Sequence, residues 1–232
     1  RAGWAAVERK LAGTLPLDQL EELRDVAPYY YDWLHHPPDD PFWNFAELRG
    51  KYSRTQAAVL NLSGWHDDNY GPEGATTNFT GLVSSRGGQP RRTALLIGPW
   101  VHGVDATART KSGEREFGPA AAIAYDEVVL DWMDRHLRGD RPQAPADPAV
   151  RYFVMGDNRW KTASAWPPPA RSRIYYLSPP LGAATRLGTL TSEPPTDAKT
   201  PSVFIADPDA PVTNPYDAAG AHDYRRLTDR SD

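Results

Sequence analysis

The sequence contains no cysteine, which excludes disulfide bonds, zinc sites with thiolate ligands and a cysteine nucleophile. It has no run of about 18 or more apolar residues, so we predict no membrane-spanning helix. Basic residues are in the minority, with 26 Lys and Arg against 30 Asp and Glu. The net charge of −4 provides no basic field for a phosphate backbone, and we expect no nucleic-acid partner. These absences predict a soluble protein and leave its compartment open, cytoplasmic or secreted.

Proline and tryptophan are abundant, with 23 and 8 residues in a chain of 232. Prolines make up about twice their average share of roughly 5% and cluster between apolar segments, a pattern typical of short, rigid connections. The chain begins with Arg1, and its first residues lack the apolar core of a signal peptide. We therefore expect the chain to be part of a longer protein.

Residues 1–50 combine a helix-like stretch at 17–26 with an aromatic segment at 28–34. The segment that follows, 35–43, is too rich in proline to form a helix. We interpret residues 1–50 as the remnant of a helical cap or lid.

Residues 51–140 alternate short apolar runs with helical patterns, which predicts a parallel α/β sheet with right-handed crossovers. Gly64 is expected to end the first strand, and Gly98-Pro99 the second. Two strands are too few for an open sheet buried on both faces, so this half is expected to need another half. The predicted elements are a strand at 57–62, a helix at 73–82, a strand at 93–97 and a helix at 120–137.

Residues 147–232 follow a proline-rich linker at 139–148 and show an apolar alternation with period two. Strands are predicted at 150–156, 173–177 and 202–206. Short strands separated by Pro and Gly turns indicate an all-β sandwich, and we expect it to be incomplete because no closing strand is evident.

Candidate catalytic side chains follow both predicted α/β strands, in the loops 63–71 and 98–103. The first loop contains Asp67 and Asp68, and the second contains His102. An acid after one strand and a histidine after the next match the second half of the Ser–Asp–His order of α/β-hydrolases. In that chemistry the histidine is the general base and the acid orients its ring. Spacing alone leaves both aspartates as candidates, since a loop carboxylate often caps the next helix.

The motifs at 64–67 (Gly-Trp-His-Asp) and 98–102 (Gly-Pro-Trp-Val-His) resemble the acid and base motifs of the cocaine esterase / Xaa-Pro dipeptidyl-peptidase-like (peptidase S15-type) family of serine α/β-hydrolases. The resemblance assigns the acid to Asp67 and the base to His102, and it leaves Asp68 outside. It implies the C-terminal half of an α/β-hydrolase domain followed by a galactose-binding-like jelly roll. Further similarity is found at 27–33, 40–43, 132–139 and 150–156, the last followed by Trp160.

The nucleophile motif of that family, Gly-x-Ser-x-Gly, does not occur in the sequence. Ser63 is the nearest candidate, but Asn61 and Trp65 occupy the two glycine positions. We therefore expect the nucleophilic serine and the oxyanion donors to lie outside this chain, in an N-terminal half that the enzyme requires. His66 replaces the usual aromatic residue of the acid motif.

The resemblance implies hydrolysis of an ester or amide bond through an acyl-enzyme, with no cofactor and no metal. The expected substrate is a small-molecule ester, an amide or a short peptide. An Xaa-Pro dipeptidyl-peptidase is an alternative, because residues 67–70 are similar to an Asp-x-Asn segment of those enzymes. A further alternative is a non-catalytic scaffold whose β-sandwich binds sugar through aromatic residues such as Trp160 and Trp166.

Other polar clusters have weaker chemical interpretations. His35, His36, Asp39 and Asp40 are four possible metal ligands, but the intervening Pro37-Pro38 holds the chain extended, and a loop near the pocket is the preferred interpretation. His222-Asp223 is interpreted as a solvated turn.

Overall fold

The structure is a computed structural model, and it describes residues 10, 13–67, 69, 71–88, 90, 92–138, 149–178, 188–194 and 207. The predicted linker at 139–148, the predicted strand at 202–206 and His222-Asp223 lie outside the described residues. The chain divides into two units. The first comprises Arg1–Ala46, Arg171–Tyr216 and Tyr224–Asp232, and the second comprises Glu47–Ala170 and Asp217–Asp223.

The second unit contains a four-stranded sheet whose strands, in spatial order, are β1 (Val59–His66), β2 (Thr93–Val101), β5 (Val150–Val154) and β6 (Arg159–Ala163). The first three strands in this order are parallel, and β6 is antiparallel to β5. A mainly parallel sheet with connecting helices agrees with the predicted α/β class. A separate two-stranded sheet consists of β3 (Lys111–Ser112) and β4 (Arg115–Glu116).

Strand β5 pairs with β2 over Leu95–Ile97, although the sequence pattern assigned residues 150–156 to the β-sandwich. Val150 and Phe153 are both buried, and Val150 belongs to the same apolar cluster as Leu95. Period-two alternation identifies a strand but does not identify its pairing partner, so this assignment needed correction. The other predicted domain limits, including the β-sandwich over the rest of 147–232, remain predictions.

Both strands that lead to the candidate residues run further than predicted, because the glycines permit close approach rather than ending the strands. A Cβ atom at Gly64 would lie 2.1 Å from the carbonyl oxygen of Trp100, and one at Gly98 would lie 2.4 Å from the Trp100 ring. The register shifts between Gly64 and His66, and this irregularity accommodates Pro99 inside β2.

Two helices accompany the sheet in the second unit, α2 (Gly71–Ser85) and α3 (Tyr125–Leu137). Phe79 and Leu82 of α2 are buried, and Phe79 packs with apolar residues of β2 and β5, which confirms the predicted helix at 73–82. Helix α3 begins later than the predicted residue 120, because Pro119–Ala121 forms a 3₁₀ turn. Acidic residues in its first turn and basic residues in its last turn complement the helix dipole.

The first unit contains short elements. The predicted helix at 17–26 appears as two 3₁₀ turns, Leu17–Gln19 and Glu21–Leu23. Helix α1 (Tyr29–Leu34) follows, and then a 3₁₀ turn at Pro41–Phe45, which Asp40 caps by accepting the backbone N–H of Phe42 at 2.7 Å. The β region of this unit is described only as a hairpin of β7 (Tyr176–Ser178) and β8 (Thr189–Thr191), so the jelly roll remains a prediction.

None of the helices among the described residues has the length and apolar character needed to cross a membrane.

Candidate active site

Asp67 and His102 lie side by side just beyond the carboxyl ends of β1 and β2. Oδ1 of Asp67 is 3.2 Å from Nδ1 of His102, within hydrogen-bonding distance. The Asp67 side chain is 12% exposed and the His102 side chain 44% exposed. The pair therefore consists of a mostly enclosed acid and a solvent-accessible imidazole. The two residues that the sequence motifs selected are the ones that the structure brings together.

The loop after β1 holds the Asp67 carboxylate in place. Its Oδ1 atom accepts the backbone N–H of Asn69 at 3.2 Å, and its own backbone N–H donates to the carbonyl of Gly64 at 3.2 Å. A local turn of this kind orients an aspartate without tertiary help. The competing Asp68 lies outside the described residues.

Ser63, the nearest candidate nucleophile in the sequence, is bound within the fold by a hydrogen bond to the backbone. The residue is buried within β1, and its hydroxyl donates to the backbone carbonyl of Gly71 at 3.3 Å. This bond joins the strand to the start of α2 and satisfies a buried hydroxyl group.

His66 packs as an aromatic residue, as its place in the acid motif suggests. Its ring stacks on that of Phe117 with the centroids 6.1 Å apart. Phe117 is itself buried and contacts Phe153 of β5. His66 thus contributes to the packing behind the loop that carries Asp67.

Two tryptophans in the acid and base motifs have a structural role that the sequence pattern did not indicate. The indole of Trp65 donates to the carbonyl of Phe153 at 2.7 Å, and the indole of Trp100 donates to the carbonyl of Ala121 at 2.8 Å. Trp160, which the sequence pattern placed in the sandwich, lies on β6 with its ring 5.8 Å from that of Trp100. The one feature of the sequence that could have indicated this role is that a tryptophan lies two residues before each candidate residue.

The His35–Asp40 segment is occupied by local contacts. Nδ1 of His36 lies 3.3 Å from Oδ2 of Asp40, and the His36 ring stacks on Phe42 with the centroids 4.0 Å apart. Nδ1 of His35 lies 2.6 Å from the carbonyl oxygen of Tyr31. The backbone bond from Phe42 and the hydrogen bond to His36 lower the pKa of Asp40. Within the described ranges, no group of three or more His, Cys, Asp or Glu residues is placed to hold a metal ion.

An open groove of about 410 Å³ also lies in the second unit, and none of its lining residues belongs to the acid or base motif. Tyr52 lines the groove, and its hydroxyl donates to Oδ1 of Asn78 at 3.1 Å. Arg49 bonds to Glu47, and these hydrogen bonds lower the pKa of Glu47 to about 2. The lining residues are Arg49, Tyr52, Thr76, Thr77, Thr80, Gly81 and Trp166.

Comparison with protein families gives a match to the family described as X-Pro dipeptidyl-peptidase (S15 family). The match covers residues 2–104, and this stretch includes both Asp67 and His102.

Similar sequences are found among bacterial esterases. The chain is 33% identical over 142 residues to a Mycobacterium bovis protein provisionally named a serine esterase, a match that covers 59% of this chain and 19% of that protein. It is 28% identical over 218 residues to the cocaine esterase of a Rhodococcus species, covering 90% of this chain and 36% of that enzyme. The chain thus spans about a fifth to a third of the length of these relatives.

Two solved structures share the fold. An α-amino acid ester hydrolase superimposes with a TM-score of 0.61 at 24% identity, covering 77% of this chain and 29% of that one. An aminopeptidase from a marine-sediment Thaumarchaeota archaeon superimposes with a TM-score of 0.57 at 20% identity, covering 91% of this chain and 35% of that one.

Proposed function

Because this chain belongs to the peptidase S15-type α/β-hydrolase family, we propose that it supplies the acid and base of a serine hydrolase that cleaves an ester or amide bond. The observation that carries the proposal is the 3.2 Å contact between Oδ1 of Asp67 and Nδ1 of His102. Two strand-end loops deliver these side chains, and this is where parallel sheets carry their reactive groups. The assignment requires no cofactor and no metal ion.

In the proposed reaction His102 moves the protons and Asp67 orients His102. Nδ1–H of the ring donates to Asp67, so Nε2 is free of hydrogen and accepts the serine proton as the serine oxygen bonds to the substrate carbonyl carbon. The imidazolium then returns that proton to the departing alcohol or amine as its bond to the carbonyl carbon breaks. Water attacks the acyl-enzyme by the same route and releases the acid and the serine. The Asp67 carboxylate stabilises the positive charge that His102 carries between these transfers.

We propose that the nucleophilic serine and the oxyanion donors are contributed from outside these 232 residues. The sequence lacks a Gly-x-Ser-x-Gly elbow, and the hydroxyl of its nearest candidate, Ser63, bonds to Gly71. The chain alone is then expected to be inactive, since a triad without its serine forms no acyl-enzyme.

The substrate class divides the proposal into two enzymatic candidates. The esterase candidate is favoured by the similarity to cocaine esterase over 90% of the chain. The dipeptidyl-peptidase candidate is favoured by the family model that covers both candidate residues. A panel of aryl esters and Xaa-Pro-anilides separates the two, and we expect faster turnover of the esters.

Labelling with a serine-directed fluorophosphonate tests the assignment in the full-length protein. We expect one label per active site on a serine outside this chain, and we expect labelling to slow by orders of magnitude in the His102→Ala variant. Heat-denatured protein is the control for non-specific reaction. A label on Ser63 would refute the external nucleophile. No label and no turnover of either substrate class would favour the non-catalytic scaffold.

A further inference from the structure

The tryptophans of the acid and base motifs use the same type of bond. The Trp100 indole is buried and donates its N–H to the carbonyl of Ala121, a fully buried residue, at 2.8 Å. The partly buried Trp65 indole donates its N–H to the carbonyl of Phe153, also buried, at 2.7 Å. Both acceptors are backbone groups, and a buried carbonyl without a donor is costly.

Each indole lies two residues before a proposed catalytic side chain. Trp65 precedes Asp67, and Trp100 precedes His102. The two bonds connect the ends of β1 and β2 to different parts of the unit, the first to β5 and the second to the turn Pro119–Ala121. Each strand end is thereby attached to a second element in addition to its neighbour in the sheet.

The attachment is needed because the sheet ladder is irregular at this point. The register between β1 and β2 shifts between Gly64 and His66. Because the hydrogen-bond ladder is disrupted there, the backbone bonds between β1 and β2 fix the relative position of the two loops less firmly than a regular ladder would. Trp65 and Trp100 both lie within this irregular stretch, and their two indole bonds fix the position of each strand there.

Trp160 provides an internal comparison. Its indole N–H donates to the carbonyl of Ala120, the neighbour of Ala121, at 2.7 Å. Ala120 is exposed, so water can replace this donor, whereas the acceptor of Trp100 has no such access. The two bonds have similar lengths and differ in burial.

We propose that Trp65 and Trp100 are positioning residues whose indole N–H bonds hold Asp67 and His102 at hydrogen-bonding distance from each other. This inference rests on the proposed function, and it adds two residues that act through the acid and the base without touching substrate. The pair of bonds is called the indole clamp below.

Replacing tryptophan by 3-benzothienylalanine tests the clamp, because this residue keeps the shape of the indole and removes its N–H. The replacement is made separately at positions 65, 100 and 160 of the full-length protein. For positions 65 and 100 we expect kcat on an aryl ester to fall about 10- to 100-fold, because a displacement of about 1 Å can cost about 100-fold. KM is expected to change by less than about twofold, since substrate contacts are not altered. For position 160 we expect kcat close to that of the unmodified protein.

Two measurements report on the acid–base contact independently of turnover: the Asp67–His102 distance in crystals of each variant and the low-field NMR signal of the ring Nδ1 proton. The distance should lengthen and the signal weaken at positions 65 and 100 alone. A lowered melting temperature with unchanged kcat, distance and signal would show that the indoles are merely structural. Equal losses at position 160 would also refute the clamp.

The replacement at Trp65 keeps the test available if the one at Trp100 prevents folding. If the unmodified protein hydrolyses no substrate, the proposed function fails, and the distance and the proton signal still decide whether the clamp exists.

Discussion

Asp67 and His102 share a hydrogen bond of 3.2 Å but differ in their contact with solvent. The acid is mostly enclosed, which strengthens its electrostatic effect on the ring, and the ring is accessible, as a group that exchanges protons with substrate must be. Unequal exposure of this kind suits an orienting acid and a proton-transferring base.

The Asp67→Asn substitution tests the orienting role while keeping the size of the side chain. The amide can present its NH₂ group to Nδ1 and stabilise the wrong tautomer of His102, and it carries no charge to stabilise the imidazolium. We expect kcat of the full-length protein to fall by roughly 10⁴-fold, the magnitude typical of this change in a catalytic triad. Steady-state kinetics on an aryl ester measure the effect. The matched control is Asp126→Asn in the first turn of α3, which should retain kcat.

His102→Ala is expected to reduce turnover by several orders of magnitude while circular dichroism shows an unchanged fold. The accessible ring makes few packing contacts whose loss would disturb the structure, since its side chain is 44% exposed. Near-normal turnover in the alanine variant would disprove the assignment of His102 as the base.

The Glu47–Arg49 pair beside the groove permits a prediction about pH. Hydrogen bonds from the Arg49 side chain and backbone lower the pKa of Glu47 from 4.5 to about 2. We expect Arg49→Ala to raise the pKa of Glu47 towards 4.5, because the side-chain bond is the largest cause of the shift. NMR titration of the Glu47 carboxyl carbon measures the change. Arg54→Ala, in the next 3₁₀ turn, is the control and should leave the titration unchanged.

At the scale of elements, the close approach of β1 and β2 near the candidate site depends on Gly64. An added Cβ would lie 2.1 Å from a backbone oxygen, and a strand backbone cannot move aside as a flexible side chain can. We expect Gly64→Ala to lower both the melting temperature and kcat, because β1 must separate from β2 at the end that carries Asp67.

Gly74→Ala is the matched control for that substitution. Gly74 lies inside α2, and an added Cβ there would have no atom within 4 Å apart from its chain neighbours and the nearby helix backbone. Alanine there should raise the free energy of unfolding by about 0.5–1 kcal/mol, because glycine is disfavoured inside helices. Thermal unfolding should therefore shift to lower temperature in Gly64→Ala and to higher temperature in Gly74→Ala. Ester turnover should fall in Gly64→Ala and not in Gly74→Ala. The same change in melting temperature and turnover in both variants would contradict the close approach of Gly64 to the backbone of β2.

Arg86 joins the segments that lead into β1 and β2. Its guanidinium donates to the carbonyls of Thr55 at 3.1 Å, Ala57 at 2.7 Å and Arg92 at 2.9 Å, and to the hydroxyl of Thr93. A lysine presents one ammonium group and cannot reproduce this planar arrangement.

We therefore expect Arg86→Lys to lower the free energy of unfolding by about 1.5–3 kcal/mol, the range for losing a bond from a charged group. Urea unfolding measures the change. Arg138→Lys, at an exposed ion pair with Asp134, is the control and should have little effect. A similar stability of both variants would show that Arg86 does not link the two strands.

At the scale of the whole molecule, α3 presents three large apolar side chains to solvent, those of Leu130, Met133 and Leu137. Among the residues that the structure describes, none of those in α3 is fully buried. Leu130 is 62% exposed and Leu137 is 76% exposed. Exposed apolar side chains of this kind bind hydrophobic dyes and promote association.

The chain of 232 residues, produced alone, is therefore expected to bind a hydrophobic dye. Leu130→Glu combined with Leu137→Lys should weaken dye binding without lowering the melting temperature, because these exposed side chains contribute little to the core. Dye fluorescence and thermal unfolding measure the two effects. Strong destabilisation by this pair would show that the helix face is packed rather than exposed.

The sequence pattern was sufficient for the alternation of strand and helix, and the family resemblance of two motifs selected Asp67 and His102. Apolar runs such as 93–97 are local patterns, and a helix such as α2 is stabilised first by contacts between near neighbours. The acid and base motifs are also contiguous, so they could be read without knowing the fold. Their catalytic roles remain predictions.

Only the tertiary structure decided which distant groups meet. The pairing of β5 with β2, the approach of Gly64 to Trp100 and the bond from Trp65 to Phe153 join residues far apart in the chain. Such contacts depend on the register of the whole sheet, and the period-two pattern of a strand is the same whichever strand it pairs with. The sequence therefore indicated the residues of the acid and base motifs, and the packing of the sheet determined where the two strands end and what holds those residues together.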